Sequence, residues 1–245
     1  MDNKEQLFKF LTYSYFRIVP ENLFPEIENE DSYRDHCIKK VIITAYKDAT
    51  NQGAYNTLFS KKLDNRETLL NESDTAQNNS SKYLFERIKE LIKNPEQNKF
   101  EDWHNNTCTQ IVKKYKNVKR NEESFFTYGN AQKWVNMTMK YLWMLGLLPD
   151  GIDEDKLHIP LDSFIIDVLK ENEKVTLPFT GDNQKSSKKV RGWSQWTKKD
   201  YEDFRESISG TKKYTLKWEN DVWIKQAENR KKKDIKKQEE KFFKE

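Results

Sequence analysis

The chain has 245 residues, of which 35% are hydrophobic, 34% charged and 13% aromatic, and its formal net charge is +4 at pH 7. Its two cysteines and three histidines are scattered without CxxC spacing, which excludes a disulfide framework and predicts no metal and no cofactor. The longest uncharged apolar run, residues 141–149, is too short to cross a bilayer, so we expect no membrane contact and a cytoplasmic monomer.

Apolar residues recur at helical spacing along the first half of the chain. Residues 52–82 differ, because Asn, Asp and Ser interrupt short apolar pairs, and they favour short helices joined by turns. Pro20 ends the first helix, and Ser81 is interpreted as the N-cap of the third. The predicted helices of this half cover residues 5–19, 33–46, 83–92 and 100–115.

The segment 125–166 contains the residues on which the functional prediction depends. Gly129 precedes an amphipathic helix that starts at Asn130 and carries Trp134 on its apolar stripe. A glycine at a helix start lets the backbone approach a ligand, and the free N–H groups there favour an anion such as phosphate. Lys133 flanks the stripe, where the dipole and desolvation lower its pKa and make it a usable amine nucleophile.

A second helix start follows in the same segment. Pro160 holds the preceding residue extended, and Asp162 stands at the N-cap position of an apolar helix. Cap hydrogen bonds fix the direction of such a carboxylate. If the two helices pack together, Lys133 and Asp162 face the same cleft.

The last third of the chain is predicted as a loop and two helices. Residues 171–191 are polar and rich in turn residues. Ser194 is interpreted as the N-cap of a helix that Gly210 ends, and a final helix runs into a tail rich in Lys and Glu. We therefore predict an all-α fold of two helical lobes with a cleft, with one domain over residues 1–215 and a charged C-terminal helix or tail over 216–245.

The pattern Gly129-x-x-Gln132-Lys133, an apolar helix and then Pro160-Leu161-Asp162 resembles the catalytic core of the helix-hairpin-helix DNA glycosylases. It is most similar to the archaeal 8-oxoguanine glycosylase branch. The resemblance implies a helix-hairpin-helix element at about 101–147 and a catalytic Asp helix at 162–172. It also implies that Lys133 attacks C1′ of a damaged or modified nucleotide in duplex DNA, while Asp162 activates the amine and stabilises the cationic sugar.

Two further sets of residues are assigned roles on this basis. One set is predicted to bind the DNA backbone: Gly129, Asn130, Ala131, Gln132, Lys119 and Arg120. The other is predicted to contact the base or to fill the gap that the extruded base leaves: Tyr128, Trp134, His158 and Trp193.

Three alternatives stay open at the level of the sequence. If Ala131 rather than Lys133 aligns with the family lysine, the enzyme loses lyase chemistry and keeps only the aspartate. A modified base in phage DNA is as good a substrate hypothesis as a damaged purine. A non-catalytic helical module that binds nucleic acid or a protein through the same hairpin and the basic tail is the competing function.

Overall fold

The computed structural model describes residues 3–18, 30–50, 66–95, 99–120, 123–171, 174–180, 189–211 and 213–242. Within these ranges the fold is all-α, as the sequence predicts. The helices are α1 Asn3–Leu11, α2 Glu30–Thr50, α3 Arg66–Lys93, α4 Phe100–Lys114, α5 Tyr128–Met144, α6 Ser163–Leu169, α7 Lys198–Ile208 and α8 Leu216–Phe242. Every helix in the described part of the chain is either too short or too polar to span a bilayer.

Short non-α elements join several of these helices. A π-helical turn, Thr12–Phe16, follows α1, and 3-10 turns lie at Glu154–Lys156 and Trp193–Gln195. Two antiparallel strand pairs of two residues each complete the described structure: β1 Lys119–Arg120 with β2 Glu123–Ser124, and β3 Phe179–Thr180 with β4 Lys189–Val190.

Helix α5 lies at the centre of the fold and is buried on nearly all sides. Its Trp134 is fully buried, packs edge to face on Tyr46 of α2, and donates its indole N–H to the Ile42 carbonyl oxygen at 2.9 Å. A buried aromatic ring whose polar atom also forms a hydrogen bond with the neighbouring helix holds the two helices together strongly. The core therefore forms around α5, and side chains on this helix are held in well-defined positions.

Helix α3 corrects the prediction for residues 52–82. Residues 66–82 belong to one continuous helix that runs to Lys93, and Ser81 lies inside it rather than at its start. The physical reason is an apolar face at helical spacing, with Leu69, Ala76 and Leu84 all buried. This burial outweighs the weak helix propensity of the Asn and Ser residues, of which Ser73 and Ser80 are themselves buried on that face. Residues 51–65 lie outside the described residues.

The connection between α4 and α5 contains the β1–β2 hairpin. Phe126 closes it by stacking on Tyr115, with ring centroids 3.9 Å apart. Thr127 then caps α5: its hydroxyl accepts from the Asn130 N–H, while the Asn130 side chain accepts from the Thr127 N–H. The helix-hairpin-helix element at 101–147 remains a prediction.

Two helix starts differ from the prediction. α5 begins at Tyr128, so Gly129 lies within its first turn, and it is not among the glycines with positive φ. The N-cap of α7 is Thr197 rather than Ser194, because the Thr197 hydroxyl forms a capping box with Asp200. Gly210 follows the end of α7 with φ of +74°, as expected for a terminating glycine.

Candidate active site

Lys133 projects from the second turn of α5 and is only 8% exposed. Its Nζ lies 4.3 Å from the centroid of the Trp193 ring. Desolvation lowers the pKa of Lys133, although the carboxylates of Asp162, Asp48 and Glu219 act to raise it. A larger fraction of this amine is therefore neutral near pH 7 than of an exposed lysine, as a nucleophilic role requires.

Asp162 is the N-cap of α6, as predicted. Its Oδ1 accepts hydrogen bonds from the backbone N–H groups of Phe164 and Ile165, at 2.9 and 3.0 Å. Its Oδ2 accepts from the indole N–H of Trp223 on α8 at 3.1 Å. Both carboxylate oxygens are thus held in place, one by the helix start and one by the C-terminal helix.

Lys133 and Asp162 line the same cavity, which has a volume of about 550 Å³. That volume lies within the usual range of small-molecule sites. The walls come from α2, α5, α6 and α8 and from the π-helical turn after α1. The charged side chains that line it are Asp48, Lys133, Lys140, Asp162, Glu219 and Arg230. Its aromatic and apolar wall includes Tyr15, Met137, Tyr141, Met144, Phe164 and Trp223.

A buried ion pair lies beside Lys133 and was not predicted from the sequence. Lys140 Nζ is 2.5 Å from Glu219 Oε2, and both side chains are almost fully buried. Burial raises the pKa of Glu219, while Lys140 acts to lower it. The only sequence signal is the seven-residue spacing of Lys133 and Lys140, which places two lysines on one face of a largely apolar helix.

A second unpredicted group lies at the end of α2. Asp48 Oδ2 accepts hydrogen bonds from the hydroxyls of Tyr15 at 2.9 Å and Tyr141 at 2.6 Å. Burial raises the pKa of Tyr15 to about 12 and raises that of Tyr141 further. Both phenols therefore remain protonated donors, and they hold the Asp48 carboxylate at the cavity wall.

The predicted phosphate site at the start of α5 is wrong, because the protein itself occupies that helix end. The Gly129 N–H donates to the Trp196 carbonyl oxygen at 3.0 Å. A Cβ on Gly129 would lie 1.9 Å from the Trp193 carbonyl oxygen, so the glycine permits close approach of the chain's own backbone.

The other residues of this helix start are also closed to DNA. Asn130, Ala131 and Gln132 are at most 2% exposed, and the Gln132 amide is bonded to Gly129 and Asn136. Their predicted contacts with the DNA backbone are therefore wrong. Lys119 is exposed on β1 and Arg120 follows it, and contact of these two with DNA remains a prediction.

The four predicted base or wedge contacts do not project into the cavity. Trp134 belongs to the core, and Tyr128 is buried with its hydroxyl donating to Asn105 Oδ1 at 2.9 Å. His158 is buried against His104, with its Nδ1 2.9 Å from the Tyr201 hydroxyl. These three predictions are wrong because burial leaves no surface for a base. Trp193 is also buried, but its ring packs on Lys133.

Comparison with protein-family models, with curated proteins and with solved structures finds no match to this chain. The function is therefore inferred from the geometry of the cavity and from the chemistry of the side chains that line it. Among the described residues, no group of three or more His, Cys, Asp or Glu side chains is placed to hold a metal ion.

Proposed function

We propose that this protein is a DNA glycosylase with associated AP-lyase activity, which excises a damaged or modified base that has been extruded from duplex DNA. Lys133 is the nucleophile, and Asp162 is the activating carboxylate. One observation carries the proposal: a buried lysine with a lowered pKa and a rigidly held N-cap aspartate line the same cavity. The resemblance of the two helix starts to the helix-hairpin-helix glycosylases agrees with this reading.

The chemistry follows from these two groups. A base inside a duplex is out of reach, so it is first flipped into the cavity. The bond between C1′ and the base nitrogen then breaks, and the base leaves with the electron pair. The Asp162 carboxylate stabilises the positive charge that develops on the sugar. Lys133 Nζ forms the new bond to C1′ and gives a proton to Asp162. The C1′–O4′ bond then breaks as the C1′=N double bond of a Schiff base forms, and O4′ takes up the proton held by Asp162. Loss of a C2′ proton with departure of the 3′ phosphate then cuts the strand.

The surrounding side chains suit these roles. Lys140 is paired with Glu219, so its ammonium group is already neutralised and does not compete with Lys133 for the Asp162 carboxylate. The indole of Trp223 holds Asp162 Oδ2 without supplying a charge. Desolvation strengthens the electrostatic effect of Asp162, because charges interact more strongly in a partly enclosed site than in water.

Borohydride trapping tests the proposal. The purified protein is incubated with duplexes that carry an abasic site, 8-oxoguanine, uracil or a modified cytosine, and covalent adducts are counted on a denaturing gel. We expect an adduct that disappears in Lys133→Ala and persists in Lys93→Ala, a matched change at an exposed lysine at the end of α3. Asp162→Asn, which keeps a cap acceptor but removes the charge, is expected to slow base release by about 100-fold.

The pH dependence gives an independent check. Only the neutral amine attacks C1′, and desolvation lowers the pKa of Lys133. The trapping rate at an abasic site should therefore rise with pH and level off below the value of 10.5 that is typical of an ordinary lysine. If no adduct forms, no duplex releases a base and binding is salt-sensitive, the glycosylase proposal fails and the non-catalytic binding module takes its place.

A further inference from the structure

Helix α1 has a wide apolar face in contact with water. The side chains of residues 5–11 are all exposed. Four of them are large and apolar, and each is more than 50% exposed: Leu7, Phe8, Phe10 and Leu11. At about 100° per residue, these four fall within about 160° of the helix circumference. The face therefore has the composition of a protein core but lies on the surface of the single chain.

The opposite side of α1 is polar. Glu5 and Lys9 form an ion pair there, with Lys9 Nζ 2.9 Å from Glu5 Oε1. The helix contains two Lys and one Glu, so it lacks the strongly basic polar face with which helices bind membrane surfaces or nucleic acid. Its apolar face is suited to a second apolar protein surface.

The size of the face agrees with a dimer. Tyr15, in the π-helical turn one turn beyond Leu11, is half exposed and extends the same side. The exposed parts of these five side chains amount to about 500 Å², at roughly 100 Å² for each half-exposed large side chain. This is near the upper limit of the apolar patches on ordinary monomers, about 600 Å². Two copies face to face would bury about 1,000 Å², which a specific interface needs as a minimum.

The sequence of the face reads the same from either end: Leu7-Phe8-Lys9-Phe10-Leu11. In a two-fold symmetric dimer the same patch is used by both copies, so it must be complementary to itself. An antiparallel pair centred on Lys9 places Leu7 level with Leu11 of the partner subunit, and Phe8 level with Phe10 of the partner subunit. Leucine then packs beside leucine and ring beside ring, while Lys9 remains on the polar side.

We propose that α1 is a dimerisation helix, on which the apolar faces of two copies of this chain pair antiparallel in solution. A dimer thus takes the place of the monomer that the sequence predicts. Because the interface is small, the dimer is reversible, with a dissociation constant on the order of micromolar. Tyr15 also lines the cavity, so the interface lies beside the cavity wall.

Analytical ultracentrifugation of the full chain, from nanomolar to high micromolar protein, tests the proposal. The average mass should rise from the chain mass of 29.5 kDa towards twice that value. Phe10→Glu would bury an unpaired charge in the interface, so the dissociation constant should rise by at least about 30-fold. Because Phe10 is exposed in the single chain, the unfolding free energy of the monomer should stay nearly unchanged. Ile224→Glu, the same change at an exposed apolar residue of α8, should leave the dissociation constant unchanged.

Cross-linking tests the antiparallel arrangement. Cys37 and Cys108 are both buried, so an introduced surface thiol is the one that reacts under mild oxidation. Leu7→Cys mixed with Leu11→Cys should form a covalent dimer faster than either variant alone, because the two positions lie level across the interface. Faster cross-linking in Leu7→Cys alone would overturn the antiparallel pairing, since a parallel pair brings identical positions together.

Three further results would overturn the dimer itself. One is a mass of 29.5 kDa at every concentration. Another is a dimer that Phe10→Glu leaves intact, or that Ile224→Glu weakens equally. The third is a monomer that floats with vesicles of phosphatidylcholine and phosphatidylserine, which would assign the face to a lipid surface. All of these measurements are made without DNA, so their outcome is independent of the glycosylase proposal.

Discussion

Gly129→Ala tests the close contact between α5 and the Trp193–Gln195 turn. The new Cβ would lie 1.9 Å from the Trp193 carbonyl oxygen, over an ångström inside the normal contact distance, and the atom it meets is backbone. Relief requires a shift that also stretches the hydrogen bond from Gly129 N–H to the Trp196 carbonyl oxygen. Overpacking costs about 1–3 kcal/mol and a lost buried hydrogen bond about 1–2 kcal/mol. The helix propensity of alanine, which is about 1 kcal/mol more favourable than that of glycine, offsets part of this loss.

The expected net loss is therefore about 1–4 kcal/mol in the free energy of unfolding, measured by urea denaturation. Gly192→Ala is the matched control in the same segment, because a Cβ there meets nothing within 4 Å and its φ of −58° suits alanine. It should change stability by about 0.5 kcal/mol or less. Equal effects of the two substitutions would refute the close contact. A second expected effect is weaker trapping by Lys133, because the Trp193 ring that covers the amine is displaced.

Two further predictions concern buried ionisable groups. Burial lowers the pKa of His104 well below its ordinary value of 6.5, so the contribution of its neutral ring to stability is complete above that pH and is lost as the pH falls. In His104→Gln the free energy of unfolding, measured by urea denaturation, should therefore decrease less steeply between about pH 6.5 and 5, by a slope of up to one proton. Equal slopes against pH for the variant and the wild-type protein would contradict this. Lys140→Met or Glu219→Gln alone should each destabilise the protein by about 3–5 kcal/mol, and the double variant by less than their sum; strict additivity in the double-mutant cycle would contradict the ion pair.

Local sequence signals account for the parts of the fold that were predicted correctly. The apolar spacing along α5 and the cap at Asp162 both act within a few residues, so the sequence alone is enough to locate them. Joint placement of Lys133 and Asp162 in one cavity also follows from two consecutive helices. Helix α3 was missed because polar residues interrupt it on both faces, with Ser73 and Ser80 among its buried positions, and its apolar residues are too widely spaced to stand out.

The incorrect predictions at Gly129, Tyr128 and Trp134 share one cause. A glycine at a helix start has the same local signature whether it admits a phosphate or another segment of the same chain, and an aromatic ring has the same signature in a core and in a wedge. At Gly129 the outcome depends on the Trp193–Trp196 segment, which lies more than sixty residues further along the chain and covers the helix end. At Tyr128 and Trp134 it depends on contacts with α4 and α2. The apolar spacing within α5 gives no sign of these contacts with distant parts of the chain.

The site itself was only half predictable for the same reason. Lys133 and Asp162, the proposed nucleophile and carboxylate, come from consecutive helices, but Asp48 meets Tyr141 across 93 residues, and Lys140 meets Glu219 across 79. Each of these polar residues, taken alone, is typical of a solvated helix face. Glu219 and Trp223 belong to the helix that was predicted as a charged appendage, yet they lie in the cavity wall and bond Lys140 and Asp162. Removal of α8 would therefore leave one buried lysine without its counterion and one oxygen of Asp162 without its donor, so the C-terminal helix is a structural part of the site.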